Sequence, residues 1–379
     1  MPQIVAAEFT RFGRRNEEVV EISAQPAIPI VRKFRDSIDL VILSNSYSGE
    51  YADVSGLNNL LTTRLSLDNV PSIRVENTSG SGGSAIFTAQ AMIESGVATN
   101  VLIVGSEKMN VGSTKRSTRI IASLLNQGER KSGISLPSLA AFMAQQYMSK
   151  FKAPRESIAM VAVKNHKNGA MNPYAHFQKP TTLEEVMSSK VIADPLRLLE
   201  YCPVSDGAAA LLVSSDENAP SMSSKRVMIK SSAMASSSSS VTYRKDLTSI
   251  DCVREASQKA FRKSGISPND VDIAELHDMA TILEIVESED AGFFEKGTGW
   301  KALMDGETDI GGRLPINTSG GLNSKGHPIG ATGIAQAGEI YFQLTSQAGQ
   351  RQVKNASTGF ALNMSGFGNS ATAFLFEVI

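Results

Sequence analysis

The tetrapeptide NTSG occurs twice in this chain, at positions 77–80 and 317–320. Each copy follows a short apolar stretch and opens into an Ala-rich segment with helical patterning. After the first copy, Ala85, Ala89, Met92 and Ile93 recur at i, i+4, i+7 and i+8. After the second, Ile334, Ala337, Gly338 and Tyr341 recur at i, i+3, i+4 and i+7. Both sets mark one face of a helix. A strand, a glycine turn and a helix written twice predict a fold of two similar halves. Gly80, Gly82 and Gly83 in one copy, and Gly320, Gly321, Gly326 and Gly330 in the other, allow tight turns and close packing. Helix N-termini carry free N–H groups and a positive dipole end, which favour a developing anion. Two such junctions meeting at the middle of a pseudo-symmetric molecule would form one site.

The rest of the chain suits that plan. Strand-like runs recur at 37–45, 72–77, 100–107, 208–215, 226–233, 271–278 and 371–379, several of them near-continuous Val, Ile and Leu. Such runs indicate strands buried on both faces, and their alternation with helical patterns predicts an α/β fold. Residues from about 112 to 195 break the rhythm and read as an inserted loop domain. They hold basic turns, the Met-containing helix LPSLAAFMAQQYMSKF and the segment KNHKNGAMNPYAHF. The run SSAMASSSSS at 231–240 reads as a mobile loop or linker. The predicted division is 1–220 and 221–379.

Composition excludes several classes. A net charge of −1 leaves no electrostatic footprint for nucleic acid or an anionic membrane. No apolar run approaches a membrane span, and the first residues lack a signal-peptide layout. Two cysteines, Cys202 and Cys252, point to a reducing, cytoplasmic setting and read as buried small hydrophobes. The four histidines show no metal-ligand spacing, so no metal is expected. GSGGS is not a phosphate loop, because no Gly-Lys-Ser/Thr follows it. It lacks the acidic residue of a dinucleotide site as well.

Six longer motifs, RVENTSGSGGSA, LIVGSEKM, SDGAAALLV, ELHDMATILEI, GGLNSKGHPIGATG and LNMSGFGNSATAFLFE, stand in the order found in thiolases. The chain resembles the thiolase superfamily over nearly its whole length, especially archaeal acetoacetyl-CoA thiolases and sterol-carrier-protein-type thiolases. The resemblance implies a five-layered αβαβα fold of two duplicated halves with an inserted loop domain. It implies coenzyme A thioesters as substrates, no permanently bound cofactor, and a homodimer or homotetramer. Archaeal relatives assemble with a zinc-ribbon/OB-fold protein and a hydroxymethylglutaryl-CoA synthase, which makes those partners an expectation.

By the same resemblance, Ser79 stands at the nucleophilic cysteine. His327, in GHPIG, matches the histidine that activates it, and His277, in ELHD, completes an oxyanion site. Asn363 stands where many relatives hold a second cysteine, the proton-transfer base. The backbone N–H groups of Ser79 and Ser365 line the other oxyanion hole. Two departures follow. A thiol titrates near 8.5 and a helix terminus can lower that, whereas a serine hydroxyl needs a general base in contact. Sterol-carrier-type relatives without the second cysteine carry one in the HD motif, where this chain has Met279, and Leu362-Asn363 replaces a common His-Asn. Asp278, Glu107 and Lys108 read as structural, and Asn165 and His166 as lying near the substrate. Two readings stay open: an acyl-CoA acyltransferase, with acetoacetyl-CoA formation or thiolysis foremost, and a catalytically degenerate scaffold that binds CoA esters.

Overall fold

The structure, a computed structural model, describes the whole chain except the side chain of Thr114. A nine-stranded sheet comprises β1 (Gln3–Phe9), β2 (Leu40–Ser44), β3 (Ser72–Val75), β4 (Asn100–Glu107), β5 (Gly207–Ser214), β6 (Val227–Ser236), β7 (Ile273–Glu275), β8 (Thr358–Ser365) and β9 (Ser370–Val378). Their spatial order is β3-β2-β4-β5-β1-β6-β9-β8-β7. The helices that matter for the site are α1 (Val19–Phe34), α2 (Ser81–Glu94), α3 (Leu136–Phe151), α4 (Arg155–Ala170), α5 (Asp251–Ser264), α6 (Thr281–Asp290) and α7 (Thr332–Leu344).

Strand pairing repeats across the sheet. In the first half β2 runs parallel to β3 and β4, while β5 runs antiparallel to both β4 and β1. In the second half β7 runs parallel to β8, while β9 runs antiparallel to both β8 and β6. A parallel bridge between Ala274 and Ile316 stands where the first half has β3. Within the sheet the halves meet where β1 pairs with β6, at Gln3–Met228 and Ile4–Val227.

Side-chain alternation builds the layers. Val41, Leu43, Leu102 and Val104 face α1, whereas Ile42, Val101 and Ile103 face α2 and α7. In the second half Ala361, Phe374 and Phe376 face the same central helices, and Phe360, Leu362 and Leu375 pack toward α5 and α6. This is the αβαβα arrangement, with α2 and α7 as its middle layer. They cross backbone on backbone. A Cβ on Gly82 would lie 2.7 Å from the amide nitrogen of Gly333, and one on Gly333 would lie 2.5 Å from that of Gly83. Only glycine fits such an approach.

Several expectations need correction. The serine run is not a mobile loop as far as Ser236: Ser231 and Ser232 are buried within β6, and Ser231 Oγ donates to Ala260 O at 2.8 Å. Small side chains there let α5 lie close on the strand. The strand expected at 271–278 ends at Glu275, so His277 sits in the loop beyond it. The second NTSG does not run straight into its helix. A π-helical turn, Gly321–Lys325, and the loop bearing His327 come before α7. The segment around Asn165 and His166 lies on helix α4 as far as Ala170. β1 and β8 carry no pattern that marked them as strands beforehand.

Candidate active site

Ser79 sits in the turn between β3 and α2, almost fully buried. Thr78 before it has φ +44°, a left-handed conformation that a β-branched residue rarely adopts. The turn is held by Thr78 Oγ1 against Ser365 Oγ at 2.6 Å and by Thr78 N–H donating to Glu76 at 2.6 Å. In the second NTSG the left-handed residue is instead Asn317, at φ +55°, a residue type that tolerates that region. The same four letters therefore fold differently, and the strain falls beside Ser79.

Two hydrogen bonds fix Ser79. Its Oγ accepts from Gly366 N–H at 3.1 Å, and its carbonyl accepts from Asn363 Nδ2 at 3.0 Å. Gly366 lies one residue beyond Ser365, whose hydroxyl is engaged with Thr78. Among the described residues, no hydrogen bond joins Ser79 Oγ to either imidazole, so its hydroxyl is not paired with a base in the free protein.

Asn363 determines the state of His277. Gly83 N–H, which can only donate, reaches Asn363 Oδ1 at 2.8 Å. The amide nitrogen must then face the other way, and Asn363 Nδ2 lies 3.2 Å from His277 Nδ1. Nδ1 is therefore the acceptor and the ring proton is assigned to Nε2. Among the described residues that Nε2 is fully buried and has no partner. His327 has the opposite assignment. Thr332 Oγ1 donates to Pro328 O at 2.9 Å, so its 2.7 Å contact with His327 Nδ1 is one in which the ring donates. Its Nε2 keeps a lone pair. The two rings stand edge to face, 5.1 Å apart at 88°.

Burial keeps both rings neutral. It holds His277 well below the usual histidine range, with His327 as a second cause, and lowers His327 to about 3. The unfolded chain binds a proton at each imidazole below about pH 6.5, while the folded chain does not. Unfolding thus takes up protons, and stability falls as pH drops from 6.5 toward 3. Each ring contributes at most about 1.4 kcal/mol per pH unit. Urea unfolding midpoints measured from pH 7 to pH 4 should show this slope, and His327→Gln should remove one proton's share of it.

Buried polar groups hold the loops in place. Asp278 accepts from Leu322 N–H at 2.7 Å, from Asn323 N–H at 3.2 Å and from Asn165 Nδ2 at 2.8 Å. It thereby ties the His277 segment to the π-turn that leads to His327. A Cβ on Gly321 would lie 2.4 Å from that carboxylate. Glu107 accepts from the N–H groups of Ser46, Tyr47 and Gly330, anchoring the far end of the His327 loop.

Ser79, His327 and Gly366 line one cavity of about 190 Å³, with His277 and Asn363 immediately behind it. Four distant segments thus meet at one place. Met109, Met279, Tyr201 and Cys202 also line it. Cys202 was expected to be only a buried hydrophobe. It reaches the wall because its N–H pairs with Met279 O at 3.0 Å, a register with no sequence signal. Burial, and secondarily Asp278, push its thiol up to about 12. Gly366 and Thr332 carried no readable signal either. Asn165 belongs to the Asp278 network, and His166 stacks on Phe177 at 5.5 Å beside a separate surface pocket.

Comparisons with known proteins agree with this architecture. Residues 3–217 match the family described as "Thiolase, N-terminal domain", and residues 233–378 match "Thiolase C-terminal domain-like". An acetyl-CoA acetyltransferase of Methanothermobacter thermautotrophicus is 40% identical, covering 90% of this chain and 88% of its own. Sterol carrier protein 2 of Rattus norvegicus is 37% identical over 83% of this chain, which spans only 60% of that longer protein. Among solved structures, "Ltp2-ChsH2(DUF35) aldolase" has a TM-score of 0.85 at 24% identity, covering 100% of this chain and 97% of that one. Human mitochondrial 3-ketoacyl-CoA thiolase has 0.77 at 17%, covering 100% and 98%. Among the described residues, no helix is long and apolar enough to cross a membrane. On the extent of these matches, the chain belongs to the thiolase family.

Proposed function

We propose that this chain is a thiolase-type acyltransferase acting on coenzyme A thioesters, with acetyl-CoA as its small substrate or product and no permanently bound cofactor. One observation carries the reading: His277 offers a free Nε2–H while His327 offers a free Nε2 lone pair, beside the helix terminus that holds Ser79. A thioester needs this pairing, a donor for its carbonyl oxygen and an acceptor for a proton. In the proposed acylation, Ser79 Oγ attacks the thioester carbon as its proton passes to His327 Nε2. The C–S bond breaks, and the leaving coenzyme A thiolate takes up that proton. The N–H groups of Ser79 and Ser365 line the second oxyanion pocket, with that of Gly366 beside them. Asn363 transfers no proton and positions His277. The acetyl-CoA acetyltransferase among the relatives supports acetyl transfer as the reaction class.

The test is intact-protein mass spectrometry after incubation with acetyl-CoA. An adduct of about 42 Da should appear on the peptide bearing Ser79 and be absent from Ser79→Ala. A second reading, a scaffold that binds CoA esters without acylation, is favoured by the missing contact between Ser79 Oγ and either imidazole. Binding of acetyl-CoA without any adduct would select it. The same proposal includes the division at about residue 220 with the loop domain at about 112–195, a cytoplasmic setting that suits two free cysteines, and self-association. A heteromeric partner belongs to it too, since the aldolase of similar fold, Ltp2-ChsH2(DUF35), carries a DUF35 component in its name.

A further inference from the structure

A second cleft, of about 730 Å³, opens on the surface beside His166, His176 and Phe177. Its size lies within the range of small-molecule sites. His166 comes from α4, and the other two come from the segment after it. That segment is tied to the π-turn: His176 N–H donates to Lys325 O at 2.9 Å and Phe177 N–H to Ser324 O at 3.0 Å. Both imidazoles are oriented from within the protein. His166 Nδ1 lies 3.3 Å from Lys179 O, and a carbonyl can only accept, so Nδ1 carries the proton. Ser205 Oγ donates to Pro203 O at 3.3 Å, so His176 Nδ1 donates in its 2.9 Å contact with that hydroxyl. Each ring thus keeps a lone pair on Nε2, and among the described residues neither Nε2 has a partner. His166 is only 6% exposed and still forms part of the cleft wall. Burial keeps both rings neutral, with Arg11 as a second cause at His176.

The charges on the wall favour an anion. Among the described residues, neither Arg11 nor Lys179 has a carboxylate partner, and both line the cleft. Its carboxylate, Glu185, is already taken by Thr182 N–H at 2.8 Å and Thr181 Oγ1 at 2.9 Å. A simple anion would leave the two ring nitrogens unpaired, and a neutral polyol would leave the two cations unpaired. We propose that this cleft is a second binding site, apart from the acyl-transfer centre, for a phosphate monoester with neighbouring hydroxyl groups, a sugar phosphate or a nucleotide. Arg11 and Lys179 hold the phosphate, and His166 Nε2 and His176 Nε2 accept from the hydroxyls beside the exposed Phe177 ring. The site lies against the back of the His327 loop, because the hydroxyl of Ser205 that takes the His176 proton also accepts from His327 N–H at 3.3 Å.

The test is calorimetric titration of the full chain with ribose 5-phosphate, adenosine monophosphate, inorganic phosphate and ribose. The esters should bind about tenfold or more tightly than inorganic phosphate, which lacks the hydroxyls, and ribose should give no heat of binding. Equal affinity of the two esters assigns the site to the sugar phosphate they share, and binding of adenosine monophosphate alone assigns it to nucleotides. Arg11→Gln and Lys179→Gln, both at exposed side chains, should each weaken ester binding about tenfold or more. His166→Phe keeps the ring stacked on Phe177 and should remove most of the preference over inorganic phosphate. Saturation with coenzyme A should leave ester binding unchanged. One-for-one displacement by coenzyme A would place the ester in the acyl-transfer site and overturn the proposal. So would failure of both esters to bind, or ester binding indifferent to Arg11→Gln and Lys179→Gln. These two surface variants decide the matter even if His166→Phe misfolds.

Discussion

Ser79→Cys should form an acyl-enzyme faster than the wild type by about 10²–10⁴-fold, the factor that a positioned base otherwise supplies to a hydroxyl. The serine has no such base within hydrogen-bonding distance, and its Oγ only accepts, from Gly366 N–H. A thiol at the same place needs less help. Free thiols ionise near 8.5, and a helix N-terminus with an N–H aimed at the sulfur favours the thiolate. The apolar wall opposes this, as the raised Cys202 thiol demonstrates. Burial, and secondarily the charge of Asp278, raises Cys202, whereas position 79 has a backbone N–H aimed at its side-chain oxygen and the start of α2 beside it. Condensation makes a separate demand, a base for the α-carbon. Asn363 and Met279 cannot supply one, which leaves His327 Nε2. Single-turnover acylation should therefore be fast in the variant while carbon–carbon bond formation lags behind it. No adduct on either protein would mean that the pocket does not present a thioester to position 79, and equal measurable rates would mean that Ser79 is already served by a base.

His277→Leu should lower the acyl-transfer rate by about 10²–10³-fold, the usual cost of removing one oxyanion donor. The leucine has similar bulk and no N–H. The loss should fall on kcat and leave KM nearly unchanged, because the donor matters most when negative charge develops on the oxygen. Stability should also fall by about 1–3 kcal/mol, since one Asn363 N–H loses its buried acceptor. Steady-state kinetics with urea unfolding on the same samples separates the two effects. A variant that keeps its turnover while losing stability would assign His277 to the scaffold alone.

The duplicated architecture was legible because both junctions pair a repeated tetrapeptide with a helical apolar face. Ser79, His277, His327 and Asn363 were found only through longer motifs, since no spacing rule links residues so far apart in the chain. The states of the two rings could not be read beforehand. They depend on the fixed amide of Asn363 and on a threonine at the first residue of α7, both properties of packing. β8 escaped notice because its alternation is masked by Ala and Gly, and the end of β6 was read as a loop because serines fill the space beneath α5. Cys202 reached the wall through a register between two irregular segments that local sequence does not encode.

The backbone crossing of α2 and α7 has a consequence for how the protein matures. Ser79 leaves the ribosome early, yet the amide that orients its turn and both imidazoles are written in the final third of the chain. The glycine contact between Gly82 and Gly333 closes a loop of most of the sequence, a long-range pairing that forms late in folding. Until it does, position 79 is an ordinary serine in an unfinished turn. On the proposed reading, position 79 would meet its partners from the second half only once synthesis has passed Asn363 and the two halves have docked.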